Sequence, residues 1–250
     1  MNTAFHVVSI LSVISGFLCV LVILFYIFPH RRQPMKIMEI VWPLTGLWAS
    51  WIGLWAYLRL GAIRNKQPTM NMKNTSSQSH LSELSDRRDM EMETMEMNRP
   101  SRSHWETVIL STLHCGAGCT LADIIGEWFT FLIPLSIGGS FIAGQWTLDY
   151  LLALVFGVFF QYAAIRPMEH LSRRATVIKA FKIDFFSLTS WQIGMYGWMA
   201  VVIFGLHQGT PLPRNSWEFW FMMQIAMFCG FLTSYPTNWL LIKLGIKKGM

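Results

Sequence analysis

Long apolar runs alternate with short polar breaks along most of the 250 residues. Residues 5–28 form the first run, 37–60 the second, and 105–143 a third that contains the apolar stretch 121–143. Residues 146–165, 185–206 and 217–244 follow. A helix needs about 20 predominantly apolar residues to cross a hydrocarbon core about 30 Å thick. The pattern predicts an all-α, polytopic transmembrane helical bundle of about six spans. It divides into a two-helix N-terminal hairpin (1–60), a polar Met-rich linker (61–104) and a four-helix core (105–250). The first run is too long for a signal-peptide core, lacks a basic lead-in and shows no small-residue cleavage site, so it reads as a retained helix. Pro29 and Pro34 bracket a tight polar turn. Residues 170–182 read as a basic amphipathic loop at the surface, 207–215 as a turn-rich loop, and Pro236 as a bend or break in the last span. Residues 105–119 alone would make about 22 Å of helix, short for a full crossing. Whether they span, re-enter or lie at the interface stays open.

Composition sharpens the class. Hydrophobic residues are 53% of the chain and charged residues 14%, against about 25% charged in soluble domains; mean hydropathy is +0.38. The net charge of +6 sits largely in loops between apolar runs, where it reads as topology signal and contact with anionic headgroups. It does not call for nucleic acid. With six spans the positive-inside rule places both termini in the cytosol. Arg31, Arg32 and Lys36 in the first loop pull the other way, and a seven-span arrangement would relieve that conflict. In the second run Trp48, Trp51 and Trp55 follow helical spacing and predict one aromatic face, with Gly46 and Gly53 offering close helix packing.

Residues 64–103 change character abruptly to Asn, Ser, Glu, Arg and Met, with too little to bury for a packed fold. The expectation is disorder. Met70, Met72, His80 and the alternation from Asp89 to Met97 resemble the Met-rich tails of copper transporters, because thioether sulfur is a soft ligand suited to Cu(I). Low complexity or a Met face for a partner is the plainer alternative.

The densest chemistry lies in His114, Cys115, Gly116, Ala117, Gly118 and Cys119, and in the helix they open. Cys115, Cys119, Asp123 and Glu127 recur every fourth residue and form one helical stripe. His114 lies a quarter turn or more away. Gly118, Ala122 and Gly126 make a small-residue ridge on the neighbouring face. A charged side chain at mid-bilayer costs at least about 2.5 kcal/mol, so Asp123 and Glu127 call for a cavity, a partner charge or a bound cation. His114, Cys115, Cys119, Asp123 and Glu127 are candidate metal ligands, with copper as Cu(I), or zinc, as the candidate ion. The pairs Met195/Met199 and Met223/Met227 could extend a path for a soft ion, or simply fill gaps between helices. A Cys115–Cys119 disulfide is the redox alternative, since their Cα atoms would be about 6 Å apart on an ideal helix. Asp184, Gln192 and Gln161 are candidates for interhelical hydrogen bonds.

The run from His114 to Trp128, with 194–199 (Gly-Met-Tyr-Gly-Trp-Met) and 234–239 (Ser-Tyr-Pro-Thr-Asn-Trp), resembles the motifs of the domain-of-unknown-function family 4396 over residues 105–250. Ala122 stands where relatives are expected to carry glycine, and it keeps the ridge small. The resemblance implies a membrane unit and no activity. Three functional readings follow: a membrane protein that binds and translocates a soft transition metal, a membrane thiol–disulfide oxidoreductase using Cys115 and Cys119, or a structural or assembly protein that packs with a partner or a second copy. No nucleotide loop and no hydrolase elbow occurs in the chain.

Overall fold

The computed structural model describes residues 3–30, 36–61, 103–166 and 172–247. The Met-rich linker, with its expected disorder and its copper-transporter resemblance, lies outside the described residues apart from 61 and 103–104, as do Arg31 and Arg32. The structure is all-helical. Among the described residues six long helices follow in order: α1 (Thr3–His30), α2 (Met38–Ala56), α3 (His104–Leu132), α4 (Phe141–Ile165), α5 (Arg173–Ala200) and α6 (Trp217–Lys243). π-helical turns extend α2 over Tyr57–Gly61 and α5 over Val201–Leu206. The helices α1, α3, α4 and α6 are long and apolar enough to cross a membrane.

Three boundaries differ from the sequence expectation. The stretch 121–143 is not one segment: α3 ends at Leu132 and α4 begins at Phe141. Pro134 lacks a backbone donor, and Gly138 and Gly139 take φ of +59° and +79°, a turn that side chains would strain. The Ser140 hydroxyl then caps α4 by accepting from the Ala143 amide. Residues 105–119 are therefore the N-terminal part of a 29-residue helix. The basic segment is not a loop from residue 173 onward. Ser172 caps α5 through the Ala175 amide, and Arg173 to Lys182 form its first turns. Finally, α6 runs unbroken through Pro236. Bonds to α5 on both sides of the proline hold it: Thr233 Oγ1 donates to Ser190 O (2.7 Å), Ser234 Oγ to Ser187 O (3.0 Å), Thr237 Oγ1 to Ser190 Oγ (2.9 Å) and Asn238 Nδ2 to Ser187 Oγ (2.6 Å).

Polarity is arranged inside out. Leu11, Phe17, Leu21 and Phe25 of α1 are exposed, as are Phe131 and Leu132 of α3, while Asp123, Asp149, Asp184, Gln161 and Gln192 are buried. A bilayer solvates the first set and not the second. The helix α3 is the axis: 78% of its most apolar window is buried, against 28–39% for the other three. The N-terminal hairpin packs on α6. Gly16 lets the Leu47 carbonyl and Gln224 approach α1, Ser12 donates to Gln224 (2.7 Å), and His6 meets Glu218 at 2.5 Å. The expected aromatic face of α2 is divided. Ser50 leaves helical geometry at φ 46°, so Trp48 turns inward while Trp51 and Trp55 stay exposed.

A candidate line of buried ionisable groups

The stripe on α3 faces inward as its spacing requires: Cys115, Cys119, Asp123 and Glu127 are all buried. A second stripe meets it from α4, where Gln145, Asp149, Ala153, Gly157 and Gln161 also recur every fourth residue. Glycines make the seam. A Cβ at Gly118 would sit 3.1 Å from the Gly157 Cα, one at Gly126 would collide with the Asp149 carboxylate, and one at Gly157 with the Asp184 carboxylate. Two aspartates are thus seated in notches that side chains would fill.

At one end of the line, Arg214 reaches in from the loop before α6. Its Nε donates to Glu127 Oε2 at 2.8 Å, its Nη2 donates to the Gln145 amide oxygen, and the Gln145 amide nitrogen donates to Glu127 Oε1. This ring gives each Glu127 oxygen one donor, and the third bond ties Arg214 to Gln145. A cavity of about 420 Å³ lined by Gln145, Arg214, Pro211 and Pro213 lies against it. Deeper in, Asp149 Oδ1 and both oxygens of Asp123 lack a hydrogen-bond partner. Tyr196 stacks on Trp146 at 4.9 Å and donates to its carbonyl at 2.8 Å.

At the other end the cation is Lys247, buried at 1% exposure although it lies beyond the end of α6. Its Nζ donates to Asn238 Oδ1 (2.7 Å) and to the Ser111 carbonyl (3.3 Å). Burial pushes this ammonium below its ordinary range, and the neighbouring Cys115 and Asp184 pull it back up. Both Asp184 oxygens lack a well-formed hydrogen bond. From Ser111 to Glu127 the line follows 16 residues of α3, about 24 Å of rise, most of a hydrocarbon core.

The thiols sit mid-line. Cys115 and Cys119 are free, and Cys119 lies within interaction range of Cys115, Asp123 and Asp184. His114 turns aside, its ring edge-on to Phe160 at 6.0 Å and beside the Phe160 backbone. Among the described residues, no three His, Cys, Asp or Glu side chains converge closely enough to hold a metal ion. The five expected ligands therefore share one buried region without forming one ligand shell. Met223 and Met227 flank the stripe, with Met227 Sδ 3.9 Å from Thr120 Oγ1, and Met199 lines the cavity near Arg214.

Sequence reasoning missed Asp149, Gln145, Arg214, Lys247 and Ser111. The fourfold spacing from Gln145 to Gln161 was a readable signal. Arg214 and Lys247 look like headgroup contacts in sequence, and only their seats in the fold reveal them as internal cations.

No curated protein and no solved structure matches the chain. Residues 104–247 match the model of the family described as a domain of unknown function, DUF4396, and the chain, an all-α protein with four helices long and apolar enough to cross a membrane, belongs to that family.

Proposed function

We propose that this protein is a membrane carrier for a cation, in which the buried carboxylates pass protons and the Cys115–Cys119 pair binds the soft ion Cu(I). The observation that supports it is a pair of buried carboxylates on either side of the two thiols, Asp123 without a hydrogen-bond partner and Asp184 beside the Cys115 thiol and the Lys247 ammonium. Such groups require a proton or a cation. Zinc fits less well, because Zn(II) takes four ligands, or three and a water, in tetrahedral array, and two thiols suit the low coordination numbers of Cu(I). His114, Asp123 and Glu127 then act around the ion rather than on it. Arg214 and Lys247 close the two ends of the line, so the arrangement corresponds to an occluded state. The orientation with both termini cytosolic belongs to the same proposal: Lys247, drawn into the fold, no longer counts for it and Arg214 no longer counts against it, which leaves Arg64, Lys66, Arg166, Arg173, Arg174, Lys179, Lys182, Lys243 and Lys248 against Arg31, Arg32 and Lys36.

The test is metal content and proton movement of protein reconstituted into vesicles. We expect near-stoichiometric copper that disappears in Cys115→Ser/Cys119→Ser, and proton movement that disappears in Asp123→Asn. Full copper in the double variant removes the thiol site, and wild-type vesicles that move neither copper nor protons remove the carrier. The thiol–disulfide alternative has one observation in its favour, two free thiols one helical turn apart. Their burial counts against it, because exchange needs access for the attacking sulfur.

A further inference from the structure

Between the thiols and the Arg214 ring, three helices bring polar groups to one level, and their register fixes it. Gly157 of α4 meets Asp184 of α5, and Trp146 of α4 stacks on Tyr196 of α5. Counting inward from either contact along these antiparallel helices puts Gln192 level with residues 149–150 of α4. Asp149 in turn fills the notch at Gly126, one turn along α3 from Asp123. Tyr196, one turn beyond Gln192, lies within interaction range of both carboxylates, so this stretch of α5 faces them. Asp123 is 1% exposed, and Asp149 and Gln192 are each 2% exposed.

Both oxygens of Asp123, Asp149 Oδ1 and both amide atoms of Gln192 have no hydrogen-bond partner. Neighbouring donors are committed elsewhere. Gln145 and Arg214 serve Glu127, Tyr196 donates to the Trp146 carbonyl, and Tyr150 and Thr189 bond to each other. An ionised carboxylate only accepts hydrogen bonds, and an amide offers a carbonyl oxygen as well as its donors. The group therefore presents four oxygens, two from Asp123 and one each from Asp149 and Gln192. That is a hard donor set, unlike the thiols one turn away. Calcium takes six to eight oxygens, and magnesium keeps several waters in an octahedral shell. Four oxygens in a seam where glycines bring the helix backbones together suit neither. We propose that Asp123, Asp149 and Gln192 bind one dehydrated sodium ion in the α3–α4–α5 seam. One proton shared between the two carboxylates leaves the occupied site neutral. The inference goes beyond the copper reading: it needs neither the thiols nor flux, so the two fail separately.

The experiment measures equilibrium binding of radiolabelled sodium to detergent-purified protein in a choline buffer. We expect saturable binding of one ion per chain, displaced by unlabelled sodium and at least tenfold less well by potassium. Asp149→Asn should abolish it, and Gln192→Leu should weaken it at least tenfold. Cys115→Ser/Cys119→Ser should leave it unchanged. Absence of saturable binding in the wild type, or full binding in Asp149→Asn or Gln192→Leu, overturns the proposal and leaves the carboxylates to protons alone. Where Asp149→Asn fails to fold, Gln192→Leu and the sodium–potassium ratio of the wild type decide it.

Discussion

The two ends of the buried line hold their cations differently. Arg214 meets a carboxylate directly, and Gln145 completes a closed ring with Glu127. Lys247 is held by neutral oxygens, those of Asn238 and Ser111, while the nearby Asp184 carboxylate makes no well-formed hydrogen bond. A paired ion in a dry site is costly to separate, because each partner would be left alone. The Lys247 ammonium sits on neutral acceptors, with Asp184 as a neighbouring counter-charge and no direct ion pair, so its departure separates no hydrogen-bonded pair of charges. The Arg214 end therefore reads as a lock, and the Lys247 end as the easier one to release.

Stability measurements on single variants can break that comparison. The largest effect is expected for Glu127→Ala, which strands the Arg214 guanidinium and should cost about 3–5 kcal/mol, read as thermal unfolding in detergent. Lys247→Ala should cost less, about 1–3 kcal/mol, for the unsatisfied acceptors it leaves. If it matches Glu127→Ala, the two ends are equivalent and the distinction falls. Thr233→Val removes one α5–α6 hydrogen bond and should lower stability by about 1 kcal/mol. Smallest is Asp184→Asn, which has no well-formed bond to lose and should stay within about 0.5 kcal/mol of wild type while slowing proton movement in vesicles. A large loss of stability there would mean that Asp184 pairs with Lys247 as tightly as Glu127 does with Arg214.

The α3 stripe was legible because four-residue spacing fixes which side chains share a helical face. Spacing along one helix says nothing of what the face meets. Asp149 and Asp184 reach the line through notches at Gly126 and Gly157, contacts 23 and 27 residues apart in sequence. Lys247 contacts Ser111 across 136 residues, and no local pattern announces that. The break after Leu132 was more readable than the apolar count allowed, since Pro134 and the Gly138–Gly139 pair stood inside the run. The continuity of α6 was not, because the propensity of Pro236 to interrupt a helix is overridden by partners on α5. His114 adjoined the thiols in sequence, yet its quarter-turn offset sends it toward Phe160.

The seams between helices also differ mechanically. Hydroxyl and amide bonds rivet α5 to α6 at Ser187, Ser190, Thr233, Ser234, Thr237 and Asn238. Between α3 and α4, Gly118 faces Gly157 and Gly126 faces Asp149. Each step back along one helix is matched by a step forward on the other, so these antiparallel helices keep one register over eight residues, about 12 Å. At Gly118 that contact is backbone on backbone, and at Gly126 it is backbone on the Asp149 carboxylate. A sliding motion there breaks no side-chain bond at the glycines themselves, whereas sliding α5 past α6 would break several at once. Shear of packed helices is an established route of conformational change, and in this bundle its path of least resistance is the glycine rail that runs beside the thiols.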